Sequence, residues 1–177
     1  VLYYLSGAKI LQFVFLVPVI FSAAAFFIIR EPYRLSRILT FFNVDRDPLG
    51  ASYHVRQTLI ALGTGGLTGQ GIGQSLQKYA YLPESTTDSI FAIIAEELGF
   101  LGSAIVILLF ISLIFRGIKI AQASPDPFGR LLGLGIVSFL AIQVIINLSA
   151  VVSLIPFTGV PLPLISYGGA SILVTIT

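Results

Sequence analysis

The chain has 177 residues, of which 56% are hydrophobic and only 10% are charged. Soluble domains carry about 25% charged residues, so this composition indicates a chain embedded in a lipid bilayer and argues against an ordinary soluble enzyme. The net charge of +2 implies no nucleic-acid-binding surface, and the absence of cysteine excludes disulfides, thiolate metal sites and a thiol nucleophile.

Apolar segments suited to transmembrane helices recur along the chain. About 20 apolar residues cross a hydrocarbon layer of about 30 Å. In chain order, the segments predict helices over residues 10–29, 88–116, 131–155 and 164–177, the last too short to span. The predicted fold class is therefore an all-α polytopic membrane protein. The absence of Met and the uncharged run after Arg130 further predict a fragment of a longer protein.

The connection of residues 30–87 is predicted to be functional or partly folded, because structureless loops of this length are uncommon. Within it, residues 53–62 predict a short interfacial helix with apolar side chains at positions 55, 59 and 62 on one side. The glycine-rich stretch 63–73 lacks the lysine and spacing of a phosphate-binding loop, so it predicts a tightly turned surface loop. His54 has no evident partner in the sequence and predicts an ordinary loop residue.

The distribution of charge predicts the topology. By parity, the 116–130 connection lies on one side of the membrane, while the 30–87 connection and the 156–163 turn lie on the other. In the 116–130 connection, Arg116, Lys119 and Arg130 outnumber Asp126, which favours a cytoplasmic location. Basic residues at positions 30, 34 and 37, on the opposite side, make this preference weak.

Acidic residues occur where the second apolar segment begins. Ser85 and Asp88 have the spacing of a helix capping box, with Asp88 in the first turn. A carboxylate fixed there at the aqueous boundary could equally act as a general base on a hydroxyl or hold a divalent cation. Further along, Glu96 and Glu97 are either functional or paired inside a helix bundle, or they mark a membrane interface.

Polar and small residues follow in the last third of the chain. Gln143 and Asn147 are four residues apart on one helix face, which predicts inter-helix hydrogen bonds, with a substrate contact as the alternative. The run of small residues 166–171 predicts close helix packing.

Several motifs together resemble the FtsW/RodA/SpoVE (SEDS) family. They are QKYAYLPE at residues 77–84, the Thr87-Asp88 pair, IFAIIAEELG at residues 90–99 and PFTGVPLPLISYGG at residues 156–169. They occur in the family's order and extend over nearly the whole chain. The resemblance implies that this chain is the C-terminal part of the transmembrane domain, with residues 30–87 as its large extracytoplasmic loop. Residues 75–84 are similar to the division-type FtsW branch.

The resemblance also implies an activity and its residues. The family polymerises lipid II into glycan strands, and its essential loop carboxylate maps to Asp88, as general base or with a divalent cation (Mg²⁺ or Mn²⁺). Lys78 and Arg56 are candidates for the cationic groups that steady the departing diphosphate. Glu84 and Thr87 complete the predicted substrate-binding set. Alternative functions are a lipid II flippase or a non-catalytic divisome scaffold.

The resemblance implies partners and a location as well. They are a class B penicillin-binding protein (a transpeptidase) and divisome membrane proteins, in the bacterial inner membrane at the division septum. The isolated fragment is expected to be inactive. The chain departs from the family pattern at Thr86, where the family has His, at Ser89, where it has Phe, and at Ala170, where it has Ser. The first departure leaves open which group hydrogen-bonds Asp88.

Overall fold

A computed structural model describes residues 10–31, 39, 41, 51–75 and 88–166. In this part of the chain the helices are α1 (Ile10–Arg30), α2 (Ala51–Thr64), α3 (Ile90–Ala123) and α4 (Pro127–Val151). An irregular segment of residues 152–166 follows α4. The described residues contain no strand, so the all-α prediction is confirmed for them. The predicted fourth apolar segment, 164–177, lies almost wholly outside the described residues.

Two of these helices, α3 and α4, are long and apolar enough to cross a membrane, with mean hydropathies of 2.7 and 2.3 over their most apolar windows. Only 17% and 11% of those windows are buried, so most of their side chains face outward. A helix that is apolar around its whole circumference is suited to lipid or to further helices rather than to water. The helix predicted over residues 10–29 is present as α1, whose last turn carries Arg30.

The predicted connection of residues 116–130 is wrong in its extent, because α3 continues to Ala123 and the turn occupies only residues 124–126. Lys119 lies over the Phe115 ring, 4.6 Å from its centroid, so its long side chain is accommodated on a helical surface. Asp126 then caps α4 by accepting a hydrogen bond from the Gly129 amide at 2.8 Å.

The helix α2 packs against the first part of α3, while α3 and α4 form an antiparallel pair. The helix predicted over residues 53–62 is confirmed as part of α2. Its Leu59 side chain is exposed, whereas Thr58 and Ala61 are fully buried. The buried apolar core joins α2, α3, α4 and the final segment through Ala61, Phe91, Ala92, Phe110, Val144, Val151 and Leu162.

A break divides α3 into two parts at Gly99, whose φ of 67° and ψ of −164° are non-helical. In an unbroken helix the carbonyls of Glu96 and Glu97 would accept from the amides four residues later, those of Phe100 and Leu101. Residues 66–71 supply the substitutes. Their amides at 70 and 71 donate to the Glu96 and Glu97 carbonyls, both at 3.0 Å, and their carbonyls at 66 and 67 accept from Phe100 and Leu101 at 2.9 and 3.2 Å. Every backbone group freed by the break therefore regains a partner.

Glycine is required at this junction because the two backbones are in direct contact. A Cβ atom on Gly65 would lie 2.0 Å from the Ala95 carbonyl oxygen, and one on Gly69 would lie 2.1 Å from the Glu97 carbonyl oxygen. A Cβ atom on Gly99 would lie 2.3 Å from the Gly69 nitrogen. The predicted tightly turned surface loop is present and mostly exposed, and its backbone also docks into α3 at residues 65–71.

Candidate functional site

Asp88 lies just before α3 and not in its first turn, so the predicted capping role is wrong in this respect. The helix begins at Ile90, and the N-cap residue Ser89 makes no side-chain capping bond. Ser85, the other member of the predicted capping box, lies outside the described residues. Asp88 is 4% exposed and Ser89 is 0% exposed. Asp88 lies outside the helix proper, and two contacts from other parts of the chain reach it and the next residue.

Asn147 supplies one of those contacts from the last turns of α4. Its side-chain amide donates to the Asp88 carbonyl at 2.9 Å and to the Val160 carbonyl at 2.7 Å. The side chain is 1% exposed, so both bonds are shielded from water. One turn earlier, Gln143 donates to the Pro161 carbonyl at 3.2 Å. The predicted hydrogen bonding by this pair is present, but its acceptors are backbone carbonyls outside the helices.

His54 supplies a second contact, from α2. Its Nε2 atom lies 3.0 Å from the Ser89 hydroxyl oxygen. The imidazole also meets the edge of the Phe157 ring, with centroids 4.4 Å apart and planes at 90°. The prediction that His54 is an isolated loop residue is therefore wrong. His54 lies four and seven residues before the buried Thr58 and Ala61, which places all three on one face of α2. This spacing is the sequence signal for the orientation of His54 toward α3.

Glu96 and Glu97 lie beside the break in α3. Glu96 is 1% exposed, and its carboxylate accepts a hydrogen bond from the Ser75 hydroxyl. This bond supports the prediction that Glu96 is paired inside the helix bundle, rather than the alternative that it marks a membrane interface. Glu97 has a buried Oε1 with no hydrogen-bond partner among the described residues. The Ser75 bond attaches the chain just after the glycine-rich stretch to α3, eight residues beyond Asp88.

Of the other predicted site residues, the structure describes only Arg56. Lys78, Glu84 and Thr87 lie outside the described residues, so their substrate-binding roles remain predictions. Arg56 is exposed on α2. It lies roughly 200° around that helix from His54, at about 100° per residue, and so faces away from the cluster.

Asp88 is the predicted metal ligand, and the described residues contain no group of three or more His, Cys, Asp or Glu side chains that could hold a metal ion. Mg²⁺ is commonly bound by one or two carboxylates together with substrate phosphates. A single carboxylate at Asp88 fits that arrangement when a phosphate-bearing substrate is bound, and it does not fit an all-protein metal centre. The predicted divalent cation stays a prediction.

Two apolar grooves, of about 640 and 530 Å³, lie on the helix surfaces. The larger lies between α3 and α4 and has Arg116 on its wall, and the smaller lies beside the break, next to Gly66 and Phe100. Asp88 lines neither groove. The candidate site is therefore defined by the bonds that converge on residues 88 and 89.

Comparison with known sequences covers the whole chain. The family model of FtsW/RodA/SpoVE cell cycle proteins matches residues 1–177. Stage V sporulation protein E of Bacillus subtilis is 48% identical over 172 residues, covering 97% of this chain and 47% of its own length. The probable peptidoglycan glycosyltransferase FtsW of Aliivibrio salmonicida is 41% identical over 174 residues, covering 97% of this chain and 44% of its own. The chain spans about half the length of these relatives.

Comparison with solved structures gives a consistent result. A chain from a peptidoglycan synthase complex, described as structurally coordinating polymerization and crosslinking, matches with a TM-score of 0.68 and 29% sequence identity. The match covers 99% of this chain and 48% of the solved chain. The architecture of the described helices is therefore that of the corresponding half of a known membrane-protein fold.

Proposed function

The chain belongs to the FtsW/RodA/SpoVE family of cell cycle proteins, and on this basis we propose that the protein is a peptidoglycan glycosyltransferase that polymerises lipid II during cell division. Relatives named as probable peptidoglycan glycosyltransferases support this assignment. The single observation that carries it is the placement of Asp88. The backbone that carries this carboxylate is held at the start of α3 by Asn147, which donates to the Asp88 carbonyl, and by the contact between His54 and Ser89.

The proposed topology places Asp88 on the outer side of the membrane. Residues 100–123 of α3 extend roughly 36 Å at 1.5 Å per residue, which is enough to cross the hydrocarbon layer. The far end of this crossing carries Arg116, Lys119 and Arg130, which favour the cytoplasm. Asp88 lies at the opposite end. Helix α1 and residues 164–177 complete the proposed set of crossings, and residues 30–87 form the extracytoplasmic loop.

In the proposed reaction Asp88 acts as the general base. A hydroxyl of the acceptor sugar attacks the anomeric carbon of the donor, and its proton passes to the Asp88 carboxylate. The new carbon–oxygen bond forms as the bond to the lipid diphosphate breaks, so the anomeric configuration inverts. Because Asp88 is 4% exposed, substrate binding must open a path for the hydroxyl to come within about 3 Å of the carboxylate.

The leaving diphosphate needs positive charge in the transition state. We assign this role to Lys78, with Glu84 and Thr87 as further substrate contacts, since these residues belong to the motif that ends at Asp88. Arg56, the other predicted cation, faces away from the cluster on α2 and is not assigned this role. A bound Mg²⁺ or Mn²⁺ would neutralise charge on the diphosphate. The proposed partner is a class B penicillin-binding protein, and the similarity to a chain of a peptidoglycan synthase complex supports a partner of this kind. The proposed location is the inner membrane at the division septum.

The test uses the full-length protein in a bilayer with purified lipid II. The substitution Asp88→Asn preserves size and removes the proton acceptor, so glycan-strand synthesis should fall by at least about 100-fold, within the usual range for a general base. The matched control is Asp126→Asn at the opposite end of α3. Asn is as good an N-cap as Asp, so this variant should polymerise normally.

The alternatives predict other results. If Asp88→Asn makes glycan strands at the wild-type rate, the catalytic assignment is wrong. If polymerisation is lost while lipid II is still moved across the bilayer at the wild-type rate, a transporter acting through the same carboxylate is excluded. A scaffold would show neither activity and would still bind its partner.

A further inference from the structure

We propose that His54 is a positioning residue for Asp88, acting through the Ser89 hydroxyl. The inference rests on the proposed function, since it concerns how the proposed base is held. His54 does not contact the reacting atoms in this proposal. Its role is to keep the chain at residues 88 and 89 in the geometry in which the carboxylate can take a proton.

The first argument is the use made of the Ser89 hydroxyl. Ser89 is the N-cap residue of α3, and the Ala92 amide donates to its carbonyl at 2.9 Å. Its side chain, however, makes no capping bond. A hydroxyl at an N-cap position ordinarily bonds to an amide of the first turn. Here the hydroxyl lies 3.0 Å from His54 Nε2 instead.

The second argument is that the two neighbouring contacts are complementary. Asn147 holds the Asp88 carbonyl from α4, and His54 holds the next side chain from α2. Together they attach the peptide group between Asp88 and Ser89 to two helices. Loss of either contact lets this peptide group shift, and the Asp88 side chain shifts with it.

The third argument is that His54 is itself held. Its ring meets Phe157 edge-on, and Phe157 belongs to the segment that also receives the second Asn147 bond at Val160. The side chain therefore has a defined position from which to orient Ser89. Three separate parts of the chain, α2, the start of α3 and the segment after α4, meet at this imidazole.

The expected effect is on turnover. Misplacement of a catalytic group by about 1 Å can lower a rate by about 100-fold, and one hydrogen bond corresponds to a factor of about 2–13. We expect His54→Leu, which keeps apolar contact with Phe157, to lower kcat for lipid II polymerisation about tenfold. KM should stay within twofold, because His54 does not bind substrate in this proposal.

Rescue separates positioning from general loss of structure. The terminal amide of Gln is the same number of bonds from Cα as His Nε2, whereas that of Asn is one bond shorter. His54→Gln should therefore restore kcat to within about twofold of the wild type, and His54→Asn should resemble His54→Leu. Ser89→Ala should reproduce the His54→Leu defect, and the double variant should be no worse than either single variant.

The matched control is Ser112→Ala, further along α3, where the exposed hydroxyl bonds only to its own helix at Leu109. This variant should keep wild-type kcat and KM. The inference is overturned if Ser89→Ala is as active as Ser112→Ala, or if Gln and Asn at position 54 behave alike.

A second measurement distinguishes failure of this inference from failure of the proposed function. Hydrogen exchange of the Ser89 and Ile90 amides should accelerate in His54→Leu and return to the wild-type rate in His54→Gln. Unchanged exchange would show that His54 does not hold this turn, whatever the activity. A wild-type protein that binds lipid II without polymerising it would instead refute the proposed function. The catalytic role proposed for the turn at residues 88 and 89 would then be wrong as well.

Discussion

The junction between the glycine-rich stretch and α3 makes a sharp prediction for Gly99→Ala. The new methyl group would lie 2.3 Å from the Gly69 nitrogen and 2.7 Å from the Leu67 carbonyl oxygen. Both are backbone atoms, so no side chain can rotate aside to make room. The residue also has φ of 67° and ψ of −164°, a region that is essentially restricted to glycine.

The magnitude follows from the strain and from the bonds at risk. Forcing a non-glycine residue into this region costs about 1–3 kcal/mol. Separation of the two backbones endangers the four hydrogen bonds across the junction, each worth about 0.5–1.5 kcal/mol net. The expected loss is therefore about 3–9 kcal/mol, which is comparable with the whole stability of many domains, about 5–15 kcal/mol.

The assay is thermal unfolding of the full-length protein in a fixed detergent, followed by circular dichroism. Relatives are about twice as long as this chain, and at about 2 cal/mol/K per residue each kcal/mol then corresponds to about 1–2 °C, so Tm should fall by at least about 3 °C. Gly63→Ala is the control, because its Cβ would have no atom within 4 Å, and it should be neutral or slightly stabilising. Gly117→Ala should lie between the two, since it meets only the Val137 side chain, at 2.7 Å. Equal Tm values for Gly99→Ala and Gly63→Ala would refute the backbone-contact argument.

Three further predictions concern the remaining contacts. Asn147→Leu leaves the carbonyls of Asp88 and Val160 without their donor, so the free energy of unfolding should fall by about 1–3 kcal/mol for each carbonyl. Turnover in lipid II polymerisation should fall as well. Ser75→Ala should destabilise the protein by about 1–3 kcal/mol because buried Glu96 loses a donor, and an unchanged Tm would contradict that contact. Chelation with EDTA should abolish polymerisation if a cation assists the reaction, and Mg²⁺ or Mn²⁺ should restore it; full activity in EDTA would exclude that assistance.

Local hydrophobicity was enough to predict the long helices, because the length of an apolar run and its composition are properties of neighbouring residues. The ends were harder to place. Arg116 and Lys119 look like a helix boundary in the sequence, yet long basic side chains can lie along an apolar helix and leave it intact. The helix therefore continues to Ala123. The short helix before the glycines was predicted correctly, but which of its side chains are buried depends on the partner helix.

Asp88 itself was found through its motif, but its surroundings were not. His54 and Ser89 are 35 positions apart, and no pattern in the residues between them predicts their contact. The break at Gly99 is equally hidden, since its neighbours are those of a continuous apolar helix. It becomes visible only when residues 66–71 are placed beside it and supply the missing backbone partners. Contacts of this kind depend on tertiary structure, which no local pattern encodes.

The glycine junction also has a consequence for protein engineering. Main-chain atoms alone form its hydrogen bonds, so away from Gly65, Gly69 and Gly99 the junction does not depend on the identity of the side chains. Leu67 and Ile72 are 72% and 83% exposed. These two positions could therefore accept fluorophores, cross-linkers or altered polarity while the backbone hydrogen bonds of the junction stay formed.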